Sequence, residues 1–378
     1  STARNSANIK IRTDRIIRGQ ENIVAIKSIS GKIQTVLGTI DPGALGVTLT
    51  HEHLLIDLSV SSPQQEAASK REFYEKPVSI ETLGRIKYYG ASNEDNSHLF
   101  DVDTAIKEVE RYKQFGGDSL VDATSVGIAR DPLGLSRISR ATGVNVIMGA
   151  SYYVAAAHPH NMDSLTETDI TNKIVTDIAT GAEGTTIKSG IIGEIGCSWP
   201  LDKNEHKVLK ASAKAQRLTG APILIHPGRD ETSPLEILEV LRQSGADINR
   251  TIIGHLDRTV FKRTTLEEIA RSGCYMEWDL FGREESFYPL NPNIDMPNDA
   301  KKMDDIAWIS ELGYEDKVVV AHDICSKHRL ETYGGHGYYY ILDHIAPRMR
   351  KRGFSENAVH KILVQNPQAI LTFTDPSD

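Results

Sequence analysis

Two histidines separated by one residue stand where an apolar, extended segment ends. His51 and His53 lie in the run LTHEHL, residues 49–54. Since side chains i and i+2 of a strand point to the same side, the two imidazoles face one way and Glu52 faces the other. Such a pair could ligate a divalent metal ion if further ligands came from elsewhere in the fold. A His-x-His pair on a surface strand also occurs without any metal, so this interpretation depends on finding those ligands.

Later apolar segments end in side chains of the same chemistry, namely Glu194, His226, His255 and Asp323. Taken alone, a histidine at a strand end is usually a hydrogen-bonded structural residue, and a carboxylate there often caps the next helix. Together with the histidine pair they make six nitrogen and oxygen donors, and burying so many polar groups without a cation would be costly. The set therefore indicates two divalent metal ions per chain, with Zn²⁺ the expected metal and Glu194 the natural bridging ligand.

These ligands need elements that bring their strand ends together, and the chain alternates regularly enough to supply them. Short apolar or β-branched segments predict eight strands, at 46–50, 119–123, 144–150, 190–195, 222–225, 251–254, 274–280 and 317–321. Segments with helical periodicity lie between most of them, at 102–115, 165–180, 202–218, 234–243, 264–271 and 300–312. This alternation is typical of an α/β fold of the (β/α)8 TIM-barrel type, whose active site lies at the carboxyl ends of the strands.

An open doubly wound sheet would use the same alternation. The chain has neither a G-x-G-x-x-G motif after its first strand nor a G-x-x-x-x-G-K-[ST] motif, so the barrel is favoured. The first connection, 56–99, is the longest and predicts an extra excursion over one end of the barrel. We expect residues 1–30 to form a polar appendage or arm and residues 31–378 to form a single metal-dependent hydrolase domain.

Composition excludes several other classes of protein. The 378 residues carry a net charge of -8 without a long basic block, which argues against a nucleic-acid partner. No stretch is long and apolar enough to predict a membrane span. Three widely spaced cysteines without a C-x-x-C motif predict reduced thiols and a cytoplasmic location.

Several ordered motifs carry a resemblance to a known family. They are THEH (50–53), GEIG (193–196), HPG (226–228), GHLD (254–257) and AHD (321–323). This set resembles the phosphotriesterase branch of the amidohydrolase superfamily. More closely, IIGEIGCSWPL (191–201), IHPGR (225–229), HLDRT (255–259) and YGGHGY (333–338) are similar to the animal phosphotriesterase-related proteins. The resemblance runs from about Gly31 to the end of the chain.

The resemblance implies a division of the ligands between two metals. His51, His53 and Asp323 would hold the more buried ion, His226 and His255 would hold the more exposed ion, and Glu194 would bridge them. Bacterial phosphotriesterases bridge with a carboxylated lysine, which segment 190–195 lacks, so efficient organophosphate turnover is not expected. Lactonase relatives carry Asp-Arg where this chain has Asp279 and Leu280, which weakens a lactonase interpretation.

The resemblance also implies a reaction, the hydrolysis of N-acetyltaurine and related small N-acyl compounds to acetate and an amine. Water activated between the metals would attack the amide carbonyl, and Asp323, Glu194 and His255 are the expected catalytic residues. Candidates for binding the substrate are Arg229, Tyr153, Trp199, Lys327 and His336. The alternatives are a lactonase or phosphoesterase acting at the same site, or a non-catalytic binding protein. A homodimer is a further expectation.

Overall fold

The computed structural model describes residues 15–18, 23–26, 29–62 and 68–377. Eight parallel strands form one sheet in which each strand pairs with its neighbour in the chain. They are β1 (Thr48–Glu52), β2 (Ser119–Asp122), β3 (Asn145–Ala150), β4 (Ile191–Gly196), β5 (Ile223–His226), β6 (Thr251–Ile253), β7 (Tyr275–Trp278) and β8 (Val318–Val320). After β8 the chain returns to β1, where the Asp323 N–H donates to the His51 carbonyl over 3.1 Å. The predicted (β/α)8 barrel is confirmed.

Helices cover the outside of the barrel. The longer ones are Val102–Gln114, Pro132–Thr142, Glu167–Ala179, Lys203–Thr219, Ser233–Gln243, Arg263–Arg271 and Asp299–Glu311, and a single turn, Leu256–Thr259, follows β6. The chain ends in Ala346–Lys351, Glu356–His360 and Asn366–Leu371, with π-helical segments at Ile341–Ile345 and Lys361–Gln365. Every predicted strand and helix ends within two residues of its observed end. The strands are buried on both faces and read as continuous apolar runs, whereas the helices bury one face and are apolar every three or four residues. The agreement follows because these two patterns differ clearly in sequence.

The long connection after β1 does form an excursion over the carboxyl end of the barrel. It contains a short antiparallel pair, Ile56–Asp57 with His98–Leu99, and the helices Ala68–Glu75 and Ile80–Tyr89. Asn96 fastens it to the chain that follows β8, since its Oδ1 accepts the His328 N–H over 2.9 Å. The excursion therefore roofs the end of the barrel where the candidate ligands lie.

The opposite, amino-terminal end is closed by a hairpin, Ile33–Thr35 with Gly38–Ile40. Gln34 donates there to the carbonyls of Ile178 and Ser189 over 2.9 and 2.6 Å. The prediction of an arm at residues 1–30 falls mostly outside the described residues, apart from two antiparallel strands, Arg15–Arg18 and Ile23–Ile26. Among the residues that the structure describes, no helix combines the length and apolarity that crossing a membrane requires.

Candidate metal centre

Two strands that carry candidate ligands contain one extra residue just where the ligands lie. In the pairing of β1 with β2, Leu49 lies opposite Leu120 but Glu52 lies opposite Asp122, so β1 has one residue more. In the pairing of β4 with β5, Ile192 lies opposite Ile223 but Ile195 lies opposite Ile225, so β4 also has one residue more. Such bulges re-aim side chains, and they are frequent beside active sites. Here they bracket His51 on β1 and Glu194 on β4.

Glu194 stands at the centre of the site. Its Oε2 lies 2.8 Å from His226 Nδ1, 3.4 Å from His51 Nε2 and 3.5 Å from His255 Nε2, and its Oε1 lies 3.2 Å from His53 Nε2. All of these side chains are buried. One carboxylate therefore faces four imidazoles, which is the arrangement that a ligand shared between two ions requires.

Asp323, three residues after the end of β8, completes the set. Its Oδ1 lies 3.2 Å from His53 Nε2 and 3.9 Å from His51 Nε2. Asp323 has φ of 51° and His255 has φ of 52°, both in the left-handed region that non-glycine residues rarely adopt. Such strained backbone persists only where the surroundings hold it, and it clusters at functional sites.

Glu52 helps to fix the strained backbone of Asp323. It is fully buried and points away from the two histidines beside it, as the strand pattern predicts. Its carboxylate accepts the backbone N–H groups of His322 and Ile324 over 2.8 and 3.0 Å, and the His322 Nδ1–H over 2.7 Å. Those two backbone groups flank Asp323, so Glu52 fixes the turn that presents this ligand.

The end of β7 adds two carboxylates that the sequence analysis missed as parts of the site. Glu277 Oε2 lies 3.1 Å from His51 Nδ1, and Asp279 Oδ2 lies 3.2 Å from the same atom. Asp279 also accepts the backbone N–H and the Nδ1–H of His255, each over 2.8 Å. Carboxylates of this kind orient imidazole ligands and make them more basic. The alternation Glu277-x-Asp279 at a strand end was the signal in the sequence.

Ionisation in the site reflects its excess of carboxylates. Burial alone would raise the pKa of Glu194, but the surrounding histidines hold it well below its usual range. Burial opposes a proton on His53, yet hydrogen bonds to Asp323 and Glu194 raise its pKa to about 9. The pKa of His255 is also raised to about 9, because the charge of Asp279 outweighs the effect of burial. The site attracts positive charge, and metal cations would replace these protons.

The residues present fit a pair of divalent ions. The ligand atoms of His51, His53 and Asp323 lie within 4.8 Å of one another, as do those of His51, Glu194 and His255. The Nε2 atom of His51 is buried and has no hydrogen-bond partner among the described residues. A buried polar atom of this kind normally finds a partner, and a cation would provide one. The donor set of imidazole and carboxylate suits zinc and similar ions.

A cavity of about 500 Å³ opens above this centre. Among the predicted substrate-binding residues, Arg229, Tyr153 and His336 line it. Lys327 and Trp199 do not line it: the ammonium group of Lys327 pairs with Asp95, and Trp199 is 42% exposed. Both follow their strands closely in sequence, but the chain turns their side chains away from the cavity.

The comparisons with known proteins agree with this geometry. The sequence profile of the Phosphotriesterase family matches residues 31–371. N-acetyltaurine hydrolase from Homo sapiens is 46% identical over 353 residues, which cover 92% of this chain and 100% of that protein. The crystal structure of a resiniferatoxin-binding protein from Rhodobacter sphaeroides superimposes with a TM-score of 0.87 at 35% identity, over 90% of this chain and 95% of the other.

A second solved structure, the phosphotriesterase homology protein from Escherichia coli with phosphate in its active site, superimposes with a TM-score of 0.72 at 27% identity. The match covers 88% of this chain and 100% of that one. The resemblance predicted from the strand-end motifs is thereby confirmed. This chain belongs to the phosphotriesterase family.

Proposed function

We propose that this protein is a metal-dependent amidohydrolase that cleaves N-acetyltaurine and related small, anionic N-acyl compounds. The observation that carries the proposal is the position of Glu194, one buried carboxylate within 3.5 Å of four histidines. The substrate class is supported by the relative from Homo sapiens, named N-acetyltaurine hydrolase, which the chain matches over that protein's whole length. The cations of the cavity wall, Arg229 among them, fit an anionic substrate.

In this proposal His51, His53 and Asp323 would hold one ion, His226 and His255 would hold the other, and Glu194 would be shared between them. We propose zinc, because the donors are imidazoles and carboxylates without thiolates. When bound, the ions would lower the pKa of a water molecule towards neutrality and polarise the carbonyl of the amide.

Asp323 is the proposed proton carrier. Burial alone would raise its pKa, but the hydrogen bond from His53 and the charges of the neighbouring histidines lower it, so the carboxylate is ionised at neutral pH. Its side chain is 16% exposed and lines the cavity, which leaves it accessible to substrate. Asp323 would accept a proton from the attacking water and deliver it to the amine nitrogen as the carbon–nitrogen bond breaks. The products are acetate and the free amine.

The experiment is a comparison of substrates with the zinc-loaded protein. We expect hydrolysis of N-acetyltaurine to exceed that of an aliphatic lactone and an aryl phosphate triester. The order would reverse if the alternative, a lactonase or phosphoesterase, were correct. Asp323→Asn should reduce kcat by a factor of at least about 100. Asp304→Asn, the same substitution at an exposed aspartate on the helix Asp299–Glu311, should leave kcat unchanged.

We also propose a cytoplasmic location and a homodimer. Cys197, Cys274 and Cys325 are free thiols, which supports a reducing compartment such as the cytoplasm. Light scattering of the purified chain would test the expected homodimer.

A further inference from the structure

One wall of the cavity, formed by the chain after β5, β6 and β7, carries three arginines around a buried tyrosine. Arg229 donates its Nε–H to the Tyr288 hydroxyl over 2.7 Å, and Arg283 lies over the Tyr288 ring with its guanidinium carbon 4.9 Å from the centroid. Burial would raise the pKa of Tyr288, but the charges of Arg258, Arg229 and Arg283 together lower it. We call these three residues the arginine cluster.

The arginine cluster lacks counter-ions. None of its three members pairs with a carboxylate of the described residues. Buried charges in proteins are normally paired, as those of Arg130 and Lys302 are here. Two other buried cations of the described residues are paired with carboxylates, Arg130 with Asp177 and Lys302 with Asp299, each over 2.9 Å. Arg258 is 3% exposed, yet its hydrogen bonds within the described ranges go only to His226 Nε2, the Pro227 carbonyl and the Thr259 hydroxyl.

Arg229 and Arg283 have donors to spare. Within the described part of the chain, Arg229 makes a side-chain hydrogen bond through Nε alone, so its two terminal nitrogens are free to bind a ligand. The side chain of Arg283 makes its contact with the ring of Tyr288 and has no hydrogen-bond acceptor there. Both residues line the cavity. Unpaired guanidinium groups facing a cavity are suited to a ligand with several anionic oxygens.

The cluster is separated from the metal centre by one imidazole ring. Arg258 Nη2 lies 3.1 Å from His226 Nε2, and His226 Nδ1 lies 2.8 Å from Glu194 Oε2. In an N-acyl taurine, four bonds join the carbonyl carbon to the sulfur, a reach of about 5 Å at about 1.3–1.5 Å for most bonds. An amide carbonyl placed beside Glu194 therefore brings its anionic tail to the arginine cluster.

Other cations of the cavity are less suitable. Arg329 already donates to the carbonyls of Asp323 and Phe281 over 2.8 and 2.9 Å. Lys87 is exposed on the excursion that roofs the barrel, where water screens its charge.

We propose that the arginine cluster is the binding site for the substrate's anionic tail, a sulfonate or carboxylate two carbons from the scissile amide nitrogen. This inference rests on the proposed function, which supplies the amide and its position. A sulfonate offers three acceptor oxygens and a carboxylate two, so the cluster favours N-acetyltaurine over N-acetyl-β-alanine. The cluster acts in specificity and takes no part in the transfer of protons.

The test compares an anionic substrate with a neutral one of similar shape. For zinc-loaded Arg229→Met, kcat/KM for N-acetyltaurine should fall by about 10- to 100-fold, the usual effect of losing hydrogen bonds to a charged group. Hydrolysis of the neutral methyl sulfone, N-acetyl-2-(methylsulfonyl)ethylamine, should change less than about 3-fold. Arg229→Lys should restore part of the loss. An equal fall for both substrates, or none for the anionic one, would overturn the proposal.

Two controls sharpen the result. Lys87→Met removes a cation at the mouth of the same cavity, and it should affect the anionic and neutral substrates equally. If Arg229→Met does not fold, Arg283→Met tests the same prediction, because that side chain makes no hydrogen bond within the described residues. A specific loss of the anionic substrate in Lys87→Met alone would move the tail site to the mouth and overturn the assignment.

A binding measurement separates this inference from the proposed function. Ethanesulfonate binding to the zinc-loaded protein should weaken at least about 10-fold in Arg229→Met. If N-acetyltaurine is not hydrolysed but this difference appears, the proposed function fails and the anion site stands. If N-acetyltaurine is hydrolysed and ethanesulfonate binds both proteins equally, the anion site is wrong.

Discussion

Replacing Glu52 by glutamine should loosen the metal centre without touching a ligand. The side chain is fully buried, and its two oxygens accept three hydrogen bonds around Asp323, at 2.7, 2.8 and 3.0 Å. A glutamine has one acceptor oxygen. If that oxygen keeps both bonds to His322, its NH₂ group meets the Ile324 N–H, so two donors face each other where water cannot reach.

The magnitude follows from those contacts. Two buried donors then face each other without an acceptor, and each unsatisfied buried donor costs about 1–3 kcal/mol. The free energy of unfolding should therefore fall by about 2–4 kcal/mol. Since the turn that holds Asp323 at φ of 51° is no longer fixed, metal affinity should fall about 10- to 100-fold, as for other residues that support ligands.

Glu108 provides a matched control. It is 1% exposed and accepts the backbone N–H groups of Glu331 and Thr332 and the Thr332 hydroxyl over 3.0, 2.8 and 2.6 Å. Glu108→Gln should lower the free energy of unfolding by a similar amount, because it loses the same kind of bond. It should not change metal affinity, because the turn that it holds carries no ligand.

The assays are denaturation by guanidinium chloride and competition for zinc with a chromophoric chelator. Both variants should unfold at lower denaturant, and only Glu52→Gln should lose zinc to the chelator more readily. Equal zinc retention by Glu52→Gln and the wild type would refute the reasoning that Glu52 positions Asp323. Equal zinc loss by both variants would show that lower stability alone weakens metal binding.

Three further predictions concern separate parts of the fold. Burial and the charge of Arg329 lower the pKa of His328 to about 3, so the unfolded chain gains its proton first as pH falls below about 6.5. Its contribution to stability is therefore present above about pH 6.5 and lost towards about pH 3. Between pH 7 and pH 5 the free energy of unfolding should fall about 2 kcal/mol less in His328→Asn than in the wild type, and equal pH slopes would contradict this. Asp279→Asn leaves one acceptor oxygen for two N–H groups of His255, which the wild-type carboxylate accepts over 2.8 Å each, and should weaken zinc binding about 10-fold in the same chelator assay, whereas unchanged affinity would exclude that role. Arg250→Met removes donors to three carbonyls of residues 369–372 at the amino-terminal end of the barrel and should lower unfolding free energy by about 2 kcal/mol with kcat/KM unchanged; a loss of activity in the folded variant would be inconsistent with its position.

The architecture could be predicted because both of its signals are local. A strand buried on both faces is a short apolar run, and a helix at the barrel surface is apolar every three or four residues, so each can be recognised without knowing its neighbours. The six candidate ligands could be predicted for a related reason. The carboxyl ends of the strands of a barrel meet at one rim, so residues such as His51 and Asp323, 272 positions apart, need only the fold to bring them together.

The rest depends on details that a linear pattern does not contain. The extra residues in β1 and β4 are visible only in the pairing with neighbouring strands. The pattern of the first strand predicts that His51 and His53 share a side. It does not show that Leu49 pairs with Leu120 while Glu52 pairs with Asp122, which leaves one extra residue in β1. Lys327 illustrates the same limit, because its partner, Asp95, comes from the excursion, and sequence separation gave no sign of that contact.

The size of the cavity makes the arginine cluster necessary for orientation as well as for affinity. A cavity of about 500 Å³ would hold a ligand much larger than N-acetyltaurine, so its shape alone does not fix the direction of a small substrate. Charge can fix the direction. A guanidinium group and an anionic tail, taken as unit charges about 8 Å apart, attract each other by about 2 kcal/mol at an effective dielectric constant near 20. A tail held by Arg229 and Arg283 leaves the carbonyl facing Glu194, whereas a tail that is not held permits unproductive orientations. Loss of Arg229 should therefore lower kcat as well as raise KM for N-acetyltaurine, and a change in KM alone would mean that the cluster supplies affinity without orientation.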